Sequence, residues 1–307
     1  MTDEQAADKP AEDLSSPVDW SEGGTVLAFV NEVAGGRRLL GAIRERVEAG
    51  ADSVAIAAPQ NQPIVGQIVN RDEVREAARS RVEVTQAVLL EFGIEADGAV
   101  MDPDPALALS DATRAFDPAE VLLSSLYETR YGLLRKDFLG WAKEKLDMPV
   151  THVPVRVDDD AVRWDVVHTL VVGTQTIASP DLIAKLKSRA ADKPHRYTVI
   201  CPKSGDLSRE DVVERLAQTL AELYREDIDA TGQPMSPEPY AAIVNAINHY
   251  RIDDILISTL AGQQSKWIEE GLIDRVQELT DKPVEHFESG DGSATPTKQR
   301  EAAEVPA

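Results

Sequence analysis

The chain has 307 residues, more than one ordinary domain and enough for two. Its 54 acidic residues against 32 basic ones give a formal charge of −22, which excludes a surface built to coat nucleic acid or an anionic membrane. The hydrophobic fraction of 42% suits two cores with polar tails, no apolar run approaches the ~20 residues of a membrane helix, and one cysteine, Cys201, excludes an internal disulfide or a cysteine-rich metal site.

In chain order, residues 1–24 carry seven acids and one lysine, with little beyond Leu14, Val18 and Trp20 to bury. They read as a disordered acidic tail. The start, Met1-Thr-Asp-Glu-Gln, lacks the basic and apolar stretches of a secretion signal, so a cytoplasmic location is expected. A first unit follows over 25–155. Short β-branched runs predict strands at Val26–Val30, Val54–Ala58, Ile94–Ala99, Val121–Ser124 and Val150–Val153. Apolar stripes between them predict helices over Arg37–Ala49, Asp72–Glu91, Pro105–Ala115 and Leu133–Leu146. Gly35-Gly36 reads as a turn and cap. Residues 156–167 form a linker, in which Asp158-Asp159-Asp160 reads as solvated and Trp164 as packing between the units. A second unit spans 168–287, with Ser179-Pro180 as cap and first residue of its first helix. Residues 288–307 form a second disordered tail. The tails carry −6 and −2, leaving −14 on the body, a charge that suits solubility.

The two units are one pattern written twice. At an offset of 143, Val26–Val30 meets Thr169–Gly173 and Val54–Pro59 meets Tyr197–Pro202. The first unit then holds nine extra residues near Gln60–Glu76, whose role the sequence does not disclose, and the offset becomes 134. From there Gly98-x-x-Met101-x-Pro103-x-Pro105 meets Gly232-x-x-Met235-x-Pro237-x-Pro239, and Val121–Leu126 meets Ile255–Leu260. Asp147-x-Pro149-Val150-x-His152 meets Asp281-x-Pro283-Val284-x-His286 without a gap. Tandem duplication is the reading. Alternating near-continuous apolar strands with helices predicts parallel sheets covered on both faces, doubly wound.

Each copy resembles the universal stress protein domain. The resemblance rests on the order of strands and helices, the Gly-x-x-Met-x-Pro-x-Pro run, the fourth strand Asp254–Thr259 and the Asp-Lys-Pro-Val run at Asp281–Val284. It implies two tandem doubly wound parallel five-stranded sheets of adenine nucleotide alpha hydrolase-like type, strand order 3-2-1-4-5. It further implies a stress-response regulatory protein whose copies form an intramolecular pseudo-dimer. In that family paired domains often meet through their fifth strands, which would bring His152 towards His286. A homodimer stays open.

ATP-binding members of the family carry an Asp after strand one and a G-x-x-G, nine residues, G-[ST] motif after strand four. Here Asn31 and Thr174 follow strand one. After strand four the first copy keeps Gly132 alone, and the second has Gly262 with Ser265 where another glycine would stand. No G-x-G-x-x-G or P-loop motif occurs. The expectation is therefore a non-catalytic protein that requires no cofactor and does not bind ATP in the usual way. Two alternatives stay open: a nucleotide-binding member taking ATP or AMP, with weak hydrolysis, and an acidic interaction scaffold. Candidate ligand residues lie past the strand ends at the topological switch point. They are Asn31, Pro59, Ser125, Thr129 and Arg130 in the first copy, and Thr174, Thr259, Gln263, Gln264 and Ser265 in the second. An adenine would lie near Pro59 or Pro202. Cys201 reads as a small buried hydrophobe, and Trp141, Trp267 and Tyr131 as packing residues.

Overall fold

The computed structural model describes residues 18–31, 36–60, 71–125, 130–131, 136–154, 166–202, 207–235, 238–249, 251–262 and 266–290. Thr129, Gln263–Ser265, Asp158–Asp160, Trp164 and most of the insertion lie outside the described residues.

The first unit runs β1 (Thr25–Val30), α1 (Arg37–Ala49), β2 (Ser53–Pro59), α2 (Arg71–Leu90), β3 (Asp97–Met101), α3 (Pro105–Phe116) and β4 (Glu120–Ser125). A two-residue antiparallel pair follows, β5 (Arg130–Tyr131) with β6 (Lys136–Asp137), then α4 (Phe138–Lys145) and β7 (Val150–Pro154). The second unit runs β8 (Val167–Val172), α5 (Pro180–Asp192), β9 (His195–Pro202), α6 (Arg209–Arg225), β10 (Asp229–Met235) and α7 (Pro239–His249). It closes with β11 (Asp254–Leu260), α8 (Lys266–Glu269), α9 (Leu272–Leu279) and β12 (Val284–Ser289). All pairings within the two five-stranded sheets are parallel, in the orders β3-β2-β1-β4-β7 and β10-β9-β8-β11-β12. Each is the expected order 3-2-1-4-5.

Local signals place the elements. Asp104 caps α3 by accepting from the amides of Ala106 (2.9 Å) and Leu107 (3.1 Å), with Pro105 at the first helical position. Its counterpart Glu238 does the same for α7, accepting from Tyr240 and Ala241. The glycine of the repeated motif is also explained. A Cβ on Gly98 would stand 2.5 Å from Val82, and one on Gly232 would stand 2.9 Å from Leu220. In both copies the second helix lies directly on the third strand, and only glycine leaves room.

Three expectations shift. The fourth helix begins at Phe138, not Leu133, because Asp137 serves as its N-cap, accepting from the Gly140 amide at 3.2 Å. The third strand begins at Asp97, since Gly93 at φ +75° ends the α2 turn only four residues earlier. Both tails are ordered at their inner ends. Trp20, in a short 3₁₀ turn capped by Asp19, is 4% exposed in the core, and β12 runs on to a fully buried Ser289.

Strand alternation divides the apolar residues into three cores. Leu27, Phe29, Val121 and Leu123 point to the α3/α4 face, and Leu170, Val172, Ile255 and Ile257 to the α7/α9 face. The opposite faces belong to a single cluster holding Val26, Ala28, Val82 and Val88 of the first unit together with Val171, Val199, Val213 and Leu216 of the second. Helices α2 and α6 pack on each other within it. At its margin Phe92 meets Tyr224 edge-on at 5.2 Å, and the Arg44 and Arg225 guanidiniums each stand 5.0 Å from the Phe92 ring. Arg209 of α6 reaches back to Glu83 (2.5 Å), Glu76 and Ser80 of α2. The units thus join through their second helices. Among the described residues the fifth strands pair only within their own sheets. Each histidine there bonds its own neighbouring strand, as described below.

An ion pair recurs in both copies, buried in the first and partly exposed in the second. Arg46, 1% exposed, donates to both carboxylate oxygens of Glu120 (3.2 and 3.1 Å), and Thr151 donates to the same carboxylate at 2.7 Å. The residues at the repeat offsets are Arg189 and Asp254, which pair at 2.5 Å. The pair ties the last turn of the first helix to the start of the fourth strand. Arg46→Met should cost about 3–5 kcal/mol by urea unfolding, because Glu120 is left buried and uncompensated. Arg79→Ala, at an exposed pair with Glu83, should cost under about 1 kcal/mol. Equal small losses would contradict this reading. Gly98→Ala should cost about 1–3 kcal/mol in the same assay, as overpacking.

Candidate functional site

The carboxyl ends of β2, β1 and β4 lie side by side and bring Pro59, Asn31 and Ser125 together, all three buried. Asn31 extends the ladder, its amide donating to Ser124 at 3.0 Å. Beneath this edge lies a residue that the sequence reading passed over. Arg81 of α2 is 5% exposed and donates to the Pro59 carbonyl at 2.6 Å. Its counterpart at the offset of 134, Arg215, donates to the Gln175 carbonyl at 2.8 Å. The repeat carried the signal: both helices also hold a threonine four residues on, Thr85 and Thr219, each bonding back to the arginine's own carbonyl. Arg130 lies on β5, paired through the backbone with Asp137.

Ser125 also forms one half of a duplicated hydroxyl–histidine pair. His152 Nε2 lies 3.2 Å from Ser125 Oγ and 3.1 Å from the Ser125 carbonyl, and His286 Nε2 lies 2.7 Å from Thr259 Oγ1. A carbonyl only accepts, so the proton of His152 sits on Nε2 when that bond is made. The imidazole then offers Ser125 no base at Nε2, and the pair fastens the fourth strand to the fifth.

The second copy's mouth is filled by its own chain. Thr174 begins a turn in which Thr176, 1% exposed, donates to the Ser258 carbonyl at 3.1 Å, while Ile177 is fully buried. Gly173 makes room beneath it, where a Cβ would stand 2.8 Å from Thr176 Oγ1. Ser179 caps α5 by accepting from the Leu182 amide at 3.2 Å, and its hydroxyl meets Ser289 at 2.5 Å. The Gly290 amide donates to Asp181 at 2.8 Å. In the first copy Gly36 stands where Ser179 does, and α1 has no side-chain cap.

Cys201 lies under this mouth, 3.9 Å from the Thr174 carbonyl, and burial pushes its thiol up to about 12, with Arg215 opposing slightly. Trp267 is core, and Trp141 stacks on Phe138 at 6.0 Å. Among the described residues no three His, Cys, Asp or Glu side chains are placed to hold a metal ion, and no helix is long and apolar enough to cross a membrane.

No protein-family model matches the sequence, and no curated protein does. Among solved structures, a universal stress protein from Archaeoglobus fulgidus is similar, with 14% identity and a TM-score of 0.34, covering 87% of this chain and 97% of that one.

Because the thiol keeps its proton, Cys201 should react with a thiol reagent at pH 8 only after unfolding in urea; rapid labelling of the native protein would contradict its burial. The sign of the pH effect follows. The folded value lies above the ordinary 9.0, so the stability contributed is full below pH 9 and is lost as pH rises towards 12.

Proposed function

We propose that this protein is a tandem universal-stress-type regulatory binding protein of the cytoplasm, non-catalytic, that does not take ATP in the manner usual for such domains. The observation that carries this reading is the second copy's mouth. An anion held at a helix start needs free backbone amides. There the Leu182 amide is bonded to Ser179, whose hydroxyl is bonded to Ser289, and Thr176 fills the space against β11. The absence of the glycine pair after strand four supports the same reading in both copies. A pseudo-dimer held through α2 and α6 makes the second copy a partner for the first. His152 Nε2 also meets the Ser125 carbonyl, a bond that needs the proton on that nitrogen, which supports the lack of acyl-transfer chemistry.

A second reading, nucleotide binding by the first copy alone, is favoured by Gly36, which leaves the start of α1 without a side-chain cap. Calorimetric titration with ATP, AMP and cyclic AMP, together with phosphate release from ATP, decides between them. The proposal expects no phosphate release, and Asn31→Ala and Ser125→Ala to leave the heat of each nucleotide unchanged within about twofold. Binding lost more than about tenfold on Asn31→Ala supports the second reading; steady phosphate release overturns the non-catalytic claim.

A further inference from the structure

We propose a second, separate ligand site: a cationic groove between the two units that takes a phosphate ester of about mononucleotide size. A cavity of about 520 Å³ opens where the start of α1 faces the end of α5 and the start of β9. That volume falls within the ~300–1,000 Å³ of small-molecule sites. A smaller cavity of about 360 Å³ adjoins it and shares Arg37, Arg38 and Asp227.

Five basic side chains line the larger cavity: Arg37, Arg38, Lys187, His195 and Arg196. Such a cluster is out of character in a chain of charge −22. Three carboxylates also line it and are engaged: Asp227 with Arg37, Glu226 with Lys187 at 3.1 Å, and Asp229 with Arg196 at 3.2 Å. Arg38 pairs with no carboxylate among the described residues, while Lys187 also reaches Glu222 at 3.6 Å. The pairs at its mouth are also exchangeable. The Asp227 side chain is 90% exposed and that of Glu226 is 53% exposed, and exposed pairs hold weakly.

Asp227 has the geometry of a stand-in. It sits at φ +61° beyond α6 and crosses the junction to place its carboxylate on Arg37, whose Nη1 also donates to the Asp227 carbonyl at 2.9 Å. A phosphate would replace that carboxylate and take Arg37 and Arg38 together, since guanidiniums fork onto phosphate oxygens. The ring of His195 supplies a flat neighbour for a planar group. It lies stacked on the fully buried Tyr197 at 5.5 Å and is held by its Nδ1 bond to the Lys193 carbonyl, 2.6 Å. The ligand class is therefore a monophosphate ester bearing a planar ring.

Titration of the full-length protein with AMP and with inorganic pyrophosphate tests this. AMP should bind, Arg38→Ala should weaken it about tenfold, and Asp227→Asn should tighten it about threefold or more. Asn suits the left-handed backbone there, and a general loss of structure cannot move the two variants in opposite directions. AMP binding tighter than pyrophosphate supports the ring contact; equal binding leaves phosphate recognition standing and removes His195 from it. Silence of both probes up to millimolar concentration overturns the proposal. So does AMP binding that ignores Arg38→Ala but is lost on Asn31→Ala, which puts the ligand at the strand ends.

Discussion

The second helix of each copy has two partners, and the rest of the molecule follows from that. Helix α2 covers its own sheet through Val82 and Val88, and α6 covers its own through Val213 and Leu216, all within a cluster that the two units hold in common. A doubly wound sheet needs both faces covered. Here the α3/α4 and α7/α9 faces are closed within each unit, while the other two faces share one core. Gly98 and Gly232 belong to the same constraint, because they let each second helix sit against the third strand. The polar rim of Arg44, Arg225 and Arg209 then fixes how one unit meets the other.

Around that shared core, duplication preserved the framework and let the mouths diverge. Arg46–Glu120 and Arg189–Asp254 perform one task twice. So do Ser125–His152 and Thr259–His286, and so do the buried Arg81 and the half-buried Arg215. In the first copy these polar groups are buried, where a lost partner is costly. The strand ends carry no such penalty, and there the copies differ: Gly36 opposes Ser179, and Asn31 opposes Thr174. One copy seals its helix start with Ser289, and the other leaves its own without a side-chain cap.

The fold was legible in the sequence because its signals are local and doubled. Helix α1 runs over the predicted residues, and strand limits elsewhere moved by one to three. Two copies of one pattern reinforced each other, so a weak strand such as Asp97–Met101 was still found. The fourth helix was overrun because Leu133, Leu134 and Phe138 extend an apolar stripe that Asp137 interrupts. Pro59, Asn31 and Ser125 do gather at one sheet edge, as strand ends in a parallel sheet must. The junction was not legible. Arg38 lies in the first unit and Lys187 and Arg196 in the second, far along the chain, and their meeting depends on how α2 and α6 dock. Pairing through the fifth strands came from the resemblance and not from any residue pattern, and there the copies depart from it. Arg46 and Glu120 were readable in principle, since both offsets preserve them, but charged residues in a helix are ordinarily read as solvated.

Two single-tryptophan proteins test the shared core most directly, one keeping Trp20 in the common cluster and the other Trp267 in the second unit's own core. Their fluorescence is followed through urea unfolding. A core held in common predicts coincident midpoints and a slope suited to the whole chain. Midpoints that separate cleanly, with the Trp267 protein unfolding as an independent unit, would contradict it.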